Sequence, residues 1–95
     1  MTVRIALEDG FYGDTVAISI EGGGSYSAED VTTRTQISLA ASTELEAPDG
    51  AEALDVEIPT RGIRERIELA GRENVALSIR DGQLEARFPE RLGFA

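Results

Sequence analysis

The chain contains no cysteine, no histidine, no lysine and no tryptophan. Without cysteine there is neither a disulfide framework nor a thiolate nucleophile. Without histidine it lacks the commonest metal ligand and the side chain most used for proton transfer near neutral pH. Without lysine, Schiff-base chemistry and a phosphate-loop lysine are out of reach. All 9 basic residues are arginine, and a GC-rich coding bias is the simplest account of that. What remains for catalysis is carboxylate, hydroxyl and guanidinium. No serine sits in a nucleophile elbow, and so small a domain leaves little room for a cleft between paired carboxylates. The expectation is a protein that is not an enzyme and carries no cofactor.

Aromatic residues are scarce too: Phe11, Tyr12, Tyr26, Phe88 and Phe94 are all of them, so the core is mostly aliphatic. No apolar run approaches the roughly 20 residues of a membrane-spanning helix. Charge of one sign dominates instead, with 18 acidic against 9 basic residues and a net charge of −9. Such a surface repels phosphate backbones and anionic bilayers, so neither nucleic acid nor membrane is an expected partner. The same acidity keeps a small domain soluble and is what a high-salt cytoplasm selects. The chain opens on Met1-Thr2-Val3-Arg4 and enters an alternating pattern at once, without a basic-then-apolar leader, which reads as cytoplasmic. Its 95 residues make one domain, 1–95, with 89–95 a C-terminal tail holding Leu92 and Phe94.

What is abundant is period-2 alternation broken by Gly, Pro and Asp. Val3, Ile5 and Leu7 share a face, as do Val16, Ile18 and Ile20, which end at Gly22-Gly23-Gly24. Val31, Thr33, Thr35, Ile37 and Leu39 alternate with Thr32, Arg34, Gln36 and Ser38, and predict the longest strand, with a wholly polar outer face. Thr43 and Leu45 continue the pattern weakly to Pro48-Asp49-Gly50. Two hairpins can be checked pair by pair. Centring a turn on Asp81-Gly82 opposes Ile79 to Leu84, Leu77 to Ala86 and Val75 to Phe88. A loop at Pro59–Gly62 opposes Ile58 to Ile63 and Leu54 to Ile67, but also Val56 to Glu65, which implies a bulge or an edge strand. No segment has a helical period. The expected fold is all-β: a small antiparallel β-sandwich of seven or eight short strands.

The run Asp49-Gly50 to Leu54-Asp-Val-Glu-Ile-Pro59, followed by Ile67-Glu-Leu69, resembles small immunoglobulin-like or transthyretin-like modules, in particular the carboxypeptidase-regulatory-like branch. The likeness covers about half the chain and is one of turns and strands. It implies a non-catalytic accessory or interaction module, and it carries no site residues across.

Two regions offer themselves as contact surfaces. The loop Asp9-Gly-Phe-Tyr-Gly-Asp14 either displays Phe11 and Tyr12 to a partner or folds one of them back as a plug for the core. On the polar strand face, Arg34 and Gln36 are hydrogen-bonding material for a carboxylate or a peptide strand, or simply a solvated outer face. The acidic residues Asp9, Asp14, Glu29 and Asp30 would make a calcium site if their loops met at one end, although their spacing matches no EF-hand. Arg61, Arg64 and Arg66 form a local basic cluster, interleaved with Glu65 and Glu68. The leading expectation is an interaction module that binds a protein partner or a second copy of itself. The alternative is a small ligand-binding protein, with calcium the first candidate.

Overall fold

A computed structural model describes residues 1–90. Eight strands make up two four-stranded sheets: β1 (Thr2–Leu7), β2 (Asp14–Ile20), β3 (Ser25–Val31), β4 (Ala41–Glu46), β5 (Ala53–Ile58), β6 (Ile63–Glu68), β7 (Asn74–Arg80) and β8 (Gln83–Arg87). One sheet runs β4-β1-β7-β8 and the other β3-β2-β5-β6. The only helical turn among the described residues is a 3-10 turn at Pro59–Arg61, closed by Gly62 in the left-handed conformation.

The alternating residues pack between the sheets, as their period demands. Val3, Ile5 and Leu7 of β1 face Val16, Ile18 and Ile20 of β2, and Leu54, Val56 and Ile58 of β5 complete the layer with Val75, Leu77 and Ile79 of β7. Both hairpins take the register the apolar pairs dictate: Ile79 opposite Leu84 and Leu77 opposite Ala86, then Ile58 opposite Ile63, Val56 opposite Glu65 and Leu54 opposite Ile67. The Val56–Glu65 mismatch is resolved without a bulge, because β6 is an edge strand and Glu65 reaches solvent.

Two expectations are corrected. The sandwich is not wholly antiparallel, since β1 pairs in parallel with β7, Ile5 lying opposite Val75. Such a pairing brings together segments far apart in sequence and leaves no local trace. The long polar-faced strand over residues 31–39 also does not form. Beyond Val31 the chain leaves its sheet and crosses to the other, closing one short bridge between Arg34 and Leu39 before β4 begins. Leu39 then packs against Ala6 and Ala76, which are buried on the outward side of the β4-β1-β7-β8 sheet. The expected tail begins at Pro89, and its Leu92 and Phe94 lie outside the described residues. Within reach of it, the Asn74 side-chain amide donates to Glu90 O at 2.6 Å, and the Arg72 guanidinium stacks 4.1 Å from the Phe88 ring centre.

Candidate interaction surface

Strands alternate up and down, so four connections collect at one end of the sandwich: residues 8–13, 32–40, 59–62 and 81–82. The two large apolar side chains left exposed among the described residues, Tyr12 at 84% and Ile37 at 60%, both belong to this end. Three of the four non-glycine residues with positive φ among the described residues are here as well, Asp30, Ser38 and Asp81. The loop that carries Tyr12 is built to be rigid, and the reasons can be followed residue by residue.

Phe11 folds inward and is 3% exposed, so one of the two aromatics of the loop is the core plug. Its N–H donates to Thr33 Oγ1 at 3.1 Å, and Thr33 N–H donates back to Phe11 O at 2.9 Å. The same Thr33 hydroxyl donates to Glu8 O. Gly13 N–H is taken by Thr32 Oγ1 at 2.9 Å. At the start of the loop, Glu8 N–H donates to Leu77 O and Ile79 N–H to Asp9 O, both at 2.8 Å. Gly10 has φ of 88°, and a Cβ there would run into the Ile79 carbonyl, so the backbone lies directly on β7.

Asp14, at the base of the loop, is 2% exposed and holds the other side. Its Oδ1 accepts from Thr60 Oγ1 at 2.7 Å and from Arg61 Nε at 3.0 Å, while its Oδ2 accepts from Tyr12 N–H at 2.8 Å and Arg61 Nη2 at 3.0 Å. Arg61 Nη2 also donates to Gly10 O at 2.8 Å. The guanidinium and the carboxylate therefore meet in a two-point fork, the strong geometry for this pair. Burial by itself would push the Asp14 carboxyl up. The hydrogen bonds from Arg61, the Tyr12 N–H and Thr60, with the Arg61 charge, outweigh it and hold the group below the usual carboxylate range. The hydrogen bond to Asp14 likewise raises Arg61 above its ordinary value.

The four carboxylates of the calcium expectation are not gathered into one group of ligands. Asp14 faces a guanidinium, Asp9 spends its backbone on β7, and Glu29 and Asp30 sit in an irregularity of β3 opposite Asp14 to Val16. Asp30 does approach the loop: a Cβ at Gly13 would lie 3.6 Å from its Oδ1. Even so, no group of three or more metal-ligating side chains gathers anywhere among the described residues. The basic cluster also dissolves into pairs. Arg61 goes to Asp14, Arg64 to Glu57 at 2.6 Å, and Arg66 lies 3.8 Å from Asp55 and 3.9 Å from Glu21. These are partners across the hairpin and the sheet, not the interleaved Glu65 and Glu68.

Of the residues proposed for partner contact, Tyr12, Arg34 and Gln36 come to the same end, on loops and not on a flat strand face, while Phe11 is withdrawn into the core. Sequence reasoning missed Ile37, counted as an inward strand residue, and missed the Asp14–Arg61 pair. The pair leaves no local signal, because only the pairing of β2 with β5 brings the Pro59–Gly62 turn beside the start of β2. No family model, no curated protein and no solved structure matches the chain. No helix among the described residues is long and apolar enough to cross a membrane.

Proposed function

We propose that the chain is a non-enzymatic β-sandwich interaction module that binds a protein partner through its loop-bearing end, with Tyr12 as the anchor. The observation that carries this reading is the contrast inside one loop. Every N–H of residues 8–13 but that of Gly10 is fixed by a partner, yet the Tyr12 side chain stands 84% exposed. A tyrosine on a fixed backbone offers large contact area while little conformational freedom remains to be lost on binding. Ile37 adds apolar area at the same end. Arg34 supplies a cation that makes no ion pair among the described residues. Within the two families its turns resemble, we favour the transthyretin-like branch. In immunoglobulin domains the first, second, fourth and fifth strands share a sheet. Here β1 lies between β4 and β7, and β2 and β5 lie in the other sheet.

A photo-crosslinking amino acid placed at position 12 in the producing cells tests the reading, with one at position 52, on the opposite end, as the control. The expected outcome is a discrete adduct from position 12 that weakens when Ile37→Ser is added. Equal or absent adducts from the two positions would overturn it.

A further inference from the structure

We propose that a second copy of this chain pairs with it along the free edge of β3, antiparallel about a two-fold axis, joining the two β3-β2-β5-β6 sheets into one. The starting observation is how unequally the four sheet edges are protected. Natural edge strands are blunted by charge. β4 carries Glu44 and Glu46, β6 carries Arg64, Glu65, Arg66 and Glu68, and β8 carries Glu85 and Arg87. β3 carries Glu29 and Asp30 in its last three residues, but its first four, Ser25-Tyr26-Ser27-Ala28, carry no charge. In a protein of net charge −9, this is the edge a second acidic chain can approach.

The backbone fixes which groups are free there. Ile20 N–H donates to Gly24 O at 3.0 Å, and Ile18 lies opposite Tyr26 and Val16 opposite Ala28. By the alternation of an antiparallel ladder, Tyr26 and Ala28 turn their N–H and C=O groups toward β2, and Ser25 and Ser27 turn theirs outward. Centring the two-fold on Tyr26 sets Ser25 opposite the partner's Ser27, and the reverse, so both outward sets are used. Gly24, whose N–H is taken by Glu46 O, then meets the partner's Ala28, and the paired run ends there, because Gly23 turns its N–H back to Ile20 O. No like charges face one another between positions 24 and 28. The side chains next to this edge on the outward face are short, Ser19, Ser25, Ser27 and Ala17, and they floor a shallow depression of about 770 Å³. Pairing at β3 would join two such depressions end to end.

The pairing does not involve the loop-bearing end, so the inference stands or falls apart from the partner-binding reading above. A single strand pair buries less than the roughly 1,200 Å² of a small stable interface, so the dimer is weak and depends on concentration. Because each copy is strongly acidic, added salt should favour it, the opposite of an interface held by ion pairs.

Size-exclusion chromatography with light scattering on the full chain tests it, from about 10 µM to about 1 mM and with salt raised to about 0.5 M. The wild type is expected to move from the mass of one chain toward that of two, further at high salt. Ser27→Pro removes an N–H that faces outward, leaves the ladder to β2 intact, and should weaken dimerisation by at least about tenfold. Ser25→Glu/Ser27→Glu sets like charges face to face and should do the same. Ser25→Arg/Ser27→Glu sets opposite charges face to face in this register and should restore the dimer, so the case does not depend on the proline variant folding. A wild type that keeps the mass of one chain throughout overturns the proposal. So does a compensating pair that stays as weak as the double glutamate while its melting curve shows it folded.

Discussion

The two connections that cross between the sheets at the loop-bearing end, residues 8–13 and 32–40, differ in almost every physical respect. The first is packed and bonded. Phe11 is in the core, a carboxylate–guanidinium fork clamps its base, and its amides are met by Thr32, Thr33 and Asp14. The second is held at its two ends and open between them. Thr32 and Thr33 spend their hydroxyls on the first loop, Leu39 covers Ala6 and Ala76, and residues 34–38 stand exposed around a single bridge. One loop is an extension of the core, and the other is a bracket that supports it. Fixed backbone and exposed side chain are thus divided between neighbours, and the exposed pair Tyr12 and Ile37 draws one residue from each.

That difference can be broken most sharply at Phe11. Phe11→Ala removes a buried ring and should cost about 3–4 kcal/mol in chemical denaturation. A loss near zero would mean that the first loop is no more anchored than the second.

Next comes the clamp. Asp14→Ala leaves Arg61 without its partner and should cost about 3 kcal/mol, the low end for a buried pair because the Arg61 side chain keeps 30% exposure. The pH dependence follows from the lowered Asp14 value. A depressed carboxyl contributes stability that is complete above the ordinary carboxyl range and is lost as pH falls through the folded-state value. The stability gap between wild type and Asp14→Asn should therefore be flat above about pH 5 and close toward strong acid. A gap that widens on acidification would show that the carboxylate is not held in the charged form.

The smallest effects belong to the second loop. Ile37→Ser should change stability by less than about 0.5 kcal/mol. Ser38→Gly, which relieves a φ of 51°, should gain less than about 1 kcal/mol. A large loss from Ile37→Ser would reveal packing that its exposure denies.

The same comparison explains what could be read from the sequence. The first loop announces itself, because Asp9-Gly and Gly13-Asp14 bracket two aromatics between alternating runs, and only the choice between display and burial was open. Each aromatic took one option. The second loop imitates a strand, since Thr, Ile and Leu at alternate positions are what a half-buried strand presents. What overrides them is topology: β3 ends in one sheet and β4 begins in the other, so the chain between must cross, and its threonines serve as hydrogen-bonding caps for the neighbouring loop. Local registers such as Asp81-Gly82 and Pro59–Gly62 were recoverable because a slip of one residue would turn apolar groups to water. The parallel contact of β1 with β7 and the Asp14–Arg61 fork were not, because neither leaves a mark on the residues around it.

The position of β1 between β4 and β7 also sets an order of events during synthesis. At about 5–20 residues per second, the strand that completes its sheet is made several seconds after β1 itself. Val3, Ile5 and Leu7 have no neighbour in their sheet until β4 is made, and then β4 on one side only until β7 follows. The nascent chain thus holds a half-finished hydrophobic strand in an increasingly acidic polypeptide, whose self-repulsion keeps neighbouring ribosomes' products apart until the last hairpin closes the sheet.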